Sequence, residues 1–328
     1  MPTITRRTLA GLILLMCLGG CVSAPQTEAL LERFTQSSQA PNTLAIPSTL
    51  LLDSVPFFAQ ELYQCGPAAL ATVLQTSQVS VLPDELVAQV YVPARQGSLQ
   101  IEMLSAARRY GRVAYVLPPT LDALLLELSV GRPVLVMQNL GLNRLPQWHY
   151  AVAIGYDLVE QELILHSGLI ENYRLSLATF ERTWQRAGYW SVVMLKPGEL
   201  AANADETLYF ESVSSFGRVA SEQALIAAYE AGLEKWPASP SFAMGLGNLH
   251  YEKNRLHKAR EFYAAVLQNS PLYAAAHNNL AQVLFEMGDV DRAREHAERA
   301  VDLGGAFLEN YKKTLATINA HSGLDSLD

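Results

Sequence analysis

Cysteine is scarce in this 328-residue chain: there are three, Cys17, Cys21 and Cys65, and two of them fall at its start. With those two set aside Cys65 has no partner, which excludes a disulfide-stapled scaffold and any multi-cysteine zinc site. Basic residues are also in short supply. Lys and Arg total 24 against 32 Asp and Glu, a formal charge of -8, and they are scattered rather than gathered into a stripe. Nucleic acid is therefore not an expected partner, and no polybasic membrane patch is evident. The longest apolar run near the start, residues 9–18, is too short for a permanent membrane span. Half of the residues are hydrophobic, enough to build cores, and the length points to two domains.

What is present begins with Arg6 and Arg7, the apolar run, and then Leu18-Gly19-Gly20-Cys21. A charged region, a short apolar region and small residues before the cut describe a secretory signal over residues 1–20. With cysteine directly after the small pair, the stretch resembles a bacterial lipoprotein signal. That resemblance implies that Cys21 is acylated, palmitate included, and becomes the mature N-terminus. The alternatives are an ordinary cleaved signal with an incidental cysteine and, from Arg6-Arg7, a twin-arginine signal. Val22 in place of an acidic residue points, by the same resemblance, to the outer membrane, with the protein facing the periplasm. Residues 21–49 are rich in Ser, Thr, Gln, Ala and Pro and read as a flexible tether with one short helix over 28–34.

Residues 55–70 read as a short apolar strand, a polar turn carrying Gln60, and a helix that starts at Cys65. Pro67 stands in the first turn, where a missing N–H costs nothing. Unpaired N–H groups at a helix start favour thiolate over thiol, so the position predicts a lowered pKa for Cys65. Ala68, Ala69, Leu70, Ala71, Val73 and Leu74 make the helix apolar nearly all round, which predicts burial and a rigid mount for the thiol. Far downstream, Trp148-His149-Tyr150-Ala151-Val152-Ala153-Ile154-Gly155-Tyr156 sets a histidine at the head of an apolar strand, 84 residues after the cysteine.

Gln60, the Cys65-Gly66-Pro67-Ala68-Ala69-Leu70 block and the His149 block, in that order, resemble the double-glycine leader peptidases, which are papain-like cysteine peptidases. The resemblance covers roughly residues 50–197. It implies an α+β papain-like fold with Cys65 as nucleophile and His149 as base. Gln60 would lend a side-chain N–H to an oxyanion hole together with the backbone N–H of Cys65; Gln64 is the nearer alternative. The third position departs from the family. Where an aspartate is usual, the chain reads Leu163-Ile164-Leu165-His166-Ser167-Gly168, which puts His166 in that place. Ser167 and Asn172 are further candidates, none brings a fixed negative charge, and Asp157 lies on the turn that ends the histidine strand. The ordinary readings are Cys65 as a small buried hydrophobe and His149 as a strand-edge residue. His250, His257, His277 and His296 fall on later helices, where packing or solvent accounts for them.

The sequence further predicts helices over 82–90, 98–110, 120–130 and 176–186, and strands over 112–117, 133–138, 149–156, 162–166 and 189–195. Helices first and antiparallel strands later is an α+β order. Residues 198–217 read as a linker. Beyond it a shift of 34 sets Leu246 over Leu280, Gly247 over Ala281, Tyr251 over Phe285, Ala259 over Ala293 and Leu267 over Val301. That period resembles tetratricopeptide repeats, so residues 218–320 are expected to form an all-α tetratricopeptide solenoid. Residues 221–236 would supply the second helix of an incomplete earlier repeat, and a tail helix near 306–318 would cap the end.

The expected function is that of a membrane-anchored cysteine peptidase. It would hydrolyse a peptide or amide bond in an exported or cell-envelope protein through a Cys65 thioester, with the repeats binding substrate or a partner protein and no cofactor or metal required. The rival is a catalytically degenerate binding or scaffold lipoprotein; transacylation through the same thioester is a third reading.

Overall fold

The computed structural model describes residues 23–37, 46–59 and 64–324, with side chains to residue 321. The leader, Cys21 and Gln60 lie outside the described residues. The chain divides into two contact-dense units, one of residues up to 106 with 116–193, the other of 107–115 with 194 onward.

In the first stretch come α1 (Pro25–Ser37), β1 (Thr49–Leu51), α2 (Cys65–Thr76), α3 (Pro83–Val90), a small hairpin of β2 (Tyr91–Val92) and β3 (Gly97–Ser98), α4 (Gln100–Arg109), β4 (Val113–Val116) and α5 (Leu121–Ser129). The strands β5 (Val134–Asn139), β6 (Trp148–Asp157), β7 (Glu162–Ser167) and β8 (Ile170–Ser176) follow, then α6 (Leu177–Gln185) and β9 (Ser191–Leu195). Strands β9, β5, β6, β7 and β8 lie side by side in that order, and their pairings are antiparallel. The centre of the sheet is β6. Its first half pairs with β5, and on the same edge its second half pairs with β1, where Gly155, Tyr156 and Asp157 face Leu51, Leu50 and Thr49. A Cβ on Gly155 would overlap the Leu50 carbonyl, so β1 can close on β6 only at a glycine.

Apolar composition and burial agree along α2, where Gly66 to Leu74 are all buried, and along β5, β6 and β9. Thr120 starts α5 by accepting the Ala123 N–H at 3.2 Å, as its place before an apolar run requires. The sequence overlooked β8. Six of its seven residues are exposed, so it is held by its ladder to β7 and carries no buried face to give it a period.

The tether reading fails over residues 25–37. Ala24 and Leu30 are buried, and the fully buried carboxylate of Glu181, on α6, accepts the N–H groups of Gln26 at 2.9 Å and Thr27 at 2.7 Å. Those are among the first N–H groups of α1, which have no partner inside the helix. The Gln26 side chain donates to the Pro119 carbonyl and accepts the Leu121 N–H, and Arg33 grips Asp122 with two hydrogen bonds at 2.9 and 2.7 Å. The helix is docked mainly through polar groups, and that is why its composition resembled a linker.

The second unit contains α7 (Glu206–Phe216), α8 (Glu222–Lys235), α9 (Pro240–Glu252), α10 (Leu256–Asn269), α11 (Ala274–Glu286), α12 (Val290–Leu303) and α13 (Leu308–Leu324). The boundaries of α9 and α10 recur 34 residues on in α11 and α12. Residues 206–216, expected within the linker, are helical: Asp205 caps the Leu208 N–H at 3.0 Å, and Tyr209, Val213 and Phe216 are buried at helical spacing. With α8 this helix completes the earlier pair. Small residues sit at the crossings, with Ala259, Ala281 and Ala293 inaccessible to solvent and Tyr263, Leu280 and Leu284 packed around them. Among the described residues no helix is long and apolar enough to cross a membrane.

Candidate active site

Cys65 is the first residue of α2. Gln64 makes no side-chain cap to this helix, Pro67 has no N–H, and the Ala68 N–H returns to the Gln64 carbonyl at 3.2 Å. Among the described residues the N–H groups of Cys65 and Gly66 have no main-chain acceptor, and both bear on the Cys65 sulfur. Gly66 is required sterically, because a Cβ there would overlap the Ser98 side chain. Strand β3 therefore abuts the helix start, and Tyr150 Oη donates to the Ser98 carbonyl at 3.2 Å from the sheet side.

His149 stands on β6 opposite Gln138 of β5, and its Nε2 lies 2.9 Å from Ser167 Oγ at the end of β7. If Nε2 carries the ring hydrogen and donates it to Ser167, Nδ1 keeps a lone pair for a thiol proton. Cys65 and His149 line one open cavity of about 910 Å³, together with Ser98, Leu99, Trp148 and Leu169. The Ser98 Oγ is buried there without a hydrogen-bond partner among the described residues. A two-residue strand has no period, so nothing in the sequence marks it.

Burial pushes the Cys65 thiol above the ordinary thiol value, and main-chain hydrogen bonds from Tyr150, Gly66 and Cys65 itself pull it down without overcoming that. The expected lowering is thus not met: the helix start favours thiolate, but the half-buried sulfur loses more from desolvation. Burial likewise holds His149 below the usual imidazole range. Both shifts favour a neutral thiol–imidazole pair at pH 7, so a proton would move during attack rather than before it.

The structure does not bring His166 to His149. Successive strand residues point to opposite faces, and β7 turns Ser167 toward His149 while His166 points away. His166 Nε2 is 3.2 Å from the Val55 carbonyl, its Nδ1 accepts the Asn172 N–H at 3.4 Å, and Phe57 packs on its ring at 5.1 Å. Both ring nitrogens serve the main chain, and the place beside His149 belongs to Ser167. Asn172 meets His166 through its main-chain N–H, and Asp157 Oδ1 is taken by the Val159 and Glu160 N–H groups. Among the described residues no group of three or more His, Cys, Asp or Glu is placed to hold a metal.

Residues 52–192 match the Peptidase_C39 like family, and residues 226–274 and 252–318 match two tetratricopeptide repeat families. Similar solved structures include a putative C39-like peptidase from Bacillus anthracis, 18% identical, with a TM-score of 0.38 over 45% of this chain and 98% of that one. Another is the first TPR of Spaghetti (RPAP3) bound to the HSP90 peptide SRMEEVD, 14% identical, with a TM-score of 0.33 over 36% of this chain and 93% of that one. The Sgt2 TPR domain from Aspergillus fumigatus is 19% identical, with a TM-score of 0.35 over 38% and 84%. No curated protein matches the chain. A mixed α/β unit with an antiparallel sheet followed by paired helices is what these families lead one to expect, and the chain carries a Peptidase_C39-like domain followed by tetratricopeptide repeats.

Proposed function

We propose that this chain is a lipid-anchored thiol hydrolase of the bacterial cell envelope that cleaves a peptide or amide bond in an exported or envelope protein. The observation that carries the reading is the shared groove, with Cys65 at a helix start whose Cys65 and Gly66 N–H groups bear on the sulfur, and His149 braced by Ser167. Cys65 Sγ attacks the carbonyl carbon as His149 Nδ1 takes the thiol proton, and the C–S bond forms while the carbonyl electrons move onto oxygen. The N–H groups of Cys65 and Gly66 receive that oxygen, with the Gln60 amide as the expected third donor. Collapse breaks the C–N bond, and the leaving amine takes the proton from His149. Water, deprotonated by His149, then opens the thioester, releasing the acid and restoring the thiol. The repeats bind the substrate or a partner protein. Leu18-Gly19-Gly20-Cys21 supports acylation at Cys21, and Val22 supports an outer-membrane site facing the periplasm.

An electrophilic peptide-like probe tests the chemistry. Labelling of Cys65 is expected, with a sharp fall in His149→Ala. The neutral Ser167, where a carboxylate is usual, favours a binding or scaffold role instead, and labelling independent of His149 would establish that reading. Mass spectrometry of the mature N-terminus tests the anchor, with acylated Cys21 expected and an unmodified terminus elsewhere refuting it.

A further inference from the structure

The loop between β5 and β6 holds apolar side chains in water. Leu140, Leu142 and Leu145 are 49%, 70% and 75% exposed. Leu142 and Leu145 exchange both main-chain hydrogen bonds, at 3.2 and 3.0 Å, across the turn Asn143-Arg144, so their side chains leave the same face of the hairpin. The tip is braced. Asn139 Oδ1 accepts the N–H groups of Gly141 and Gln147 at 3.0 and 2.9 Å, and Arg186 donates twice to the Asn139 carbonyl at 3.1 and 3.0 Å.

The Cys65 groove does not use these leucines, since neither Leu142 nor Leu145 lines it. Leu142 instead borders a separate cavity of about 520 Å³ with Asn143, Arg144, Gln185 and Arg186. Two arginines beside exposed leucines make a local positive, apolar site in a chain of net charge -8. Among the described residues neither arginine is in an ion pair. Apolar side chains flanked by basic ones are what an anionic phospholipid interface accepts.

The position of the tip relative to the start of the chain favours the same occupant. Arg186 directly follows α6, and Glu181 on that helix holds the first N–H groups of α1. Arg186 lies five residue steps beyond Glu181, about 8 Å along the axis. Pro25 follows Cys21 by four residue steps, at most about 14 Å of chain. The anchor position and the leucine tip are thus tied to one short helix, within reach of a single surface.

We infer that the Leu142–Leu145 tip is a second membrane contact, in which the two leucines enter the bilayer interface and Arg144 and Arg186 meet anionic headgroups. It rests on the lipid-anchor reading for its consequence: the acylated domain is docked in one orientation instead of swinging from its terminus.

The test uses the unacylated chain from Val22 onward, floated with vesicles of phosphatidylethanolamine and phosphatidylglycerol. Salt-sensitive flotation is expected. The double variant Leu142→Asp, Leu145→Asp should bind about tenfold or more weakly, and Arg144→Glu severalfold more weakly, with circular dichroism unchanged. No flotation, or flotation equal in the leucine variant, overturns the contact. So does a leucine variant that raises KM for a peptide substrate while partitioning normally, which would assign the tip to substrate. The anchor is judged separately by the mature N-terminus: acylated Cys21 without flotation removes only the hairpin contact, and flotation with an unacylated native terminus removes only the anchor.

Discussion

Ser167→Asp measures what a fixed negative charge beside His149 is worth. Ser167 Oγ lies 2.9 Å from His149 Nε2 at a half-buried position, so a carboxylate there keeps part of its hydration. Two unit charges about 4 Å apart interact by about 4 kcal/mol at an effective dielectric of about 20, and desolvation returns part of it. A rise of about 1 to 3 units in the His149 pKa is expected. The balance between thiolate–imidazolium and thiol–imidazole depends on the difference between the two pKa values, so the ion pair grows about 10- to 1000-fold. Iodoacetamide alkylation of Cys65 between about pH 6 and 7 should accelerate by a similar factor, since the thiolate is the reacting form. The pH dependence of stability should weaken as well. In the native protein His149 titrates below its unfolded value of about 6.5, so the unfolded chain binds the proton first and stability falls as pH drops through that range. In the variant the carboxylate raises the folded value toward the unfolded one, so that loss of stability at low pH shrinks. Urea unfolding at two pH values reads the change. An unchanged alkylation rate in a folded variant would refute Ser167 as the group that braces His149.

Glu181→Gln keeps the shape of the residue that caps α1 but removes its charge and one acceptor. Trypsin should then cut after Arg33 under native conditions, with a loss of about 2 kcal/mol in urea unfolding, and an unchanged digest would refute the cap. Ala281→Leu forces a larger side chain into a crossing sealed from solvent and should cost about 1 to 3 kcal/mol, read as a lower thermal midpoint of the helical signal; no loss would mean that the crossing is loose. Native Cys65 should alkylate with a midpoint above that of a free thiol, and more slowly at neutral pH in His149→Ala. A midpoint below the free-thiol value would show that the helix start outweighs burial.

Both sequence blocks that frame the site were legible because each is fixed by a steric demand that few residues meet. Gly66 admits β3 against the helix start, and Gly155 admits β1 against β6. The repeats were legible because helix boundaries copy the 34-residue period. His166 and Ser167 could not be separated by order alone. Adjacent strand residues face opposite sides, and the β7–β8 register slips between Leu165 and Ser167, at the point where the choice is made. The sequence also shows the helix start that favours the Cys65 thiolate and the apolar helix behind it, but not that burial outweighs the helix start. The docking of α1 escaped notice because its acceptor, Glu181, is a buried carboxylate on a helix far away in sequence.

The bonds from Gln26 and Thr27 to Glu181 span 155 and 154 residues, so they also set an order of events. A chain made from its N-terminus presents α1 long before α6 exists, and a 13-residue helix is marginal by itself in water. Closing so long a loop waits for most of the sheet to form. This helix is therefore among the last described elements to settle, and a loose α1 is the mark of an unfinished domain.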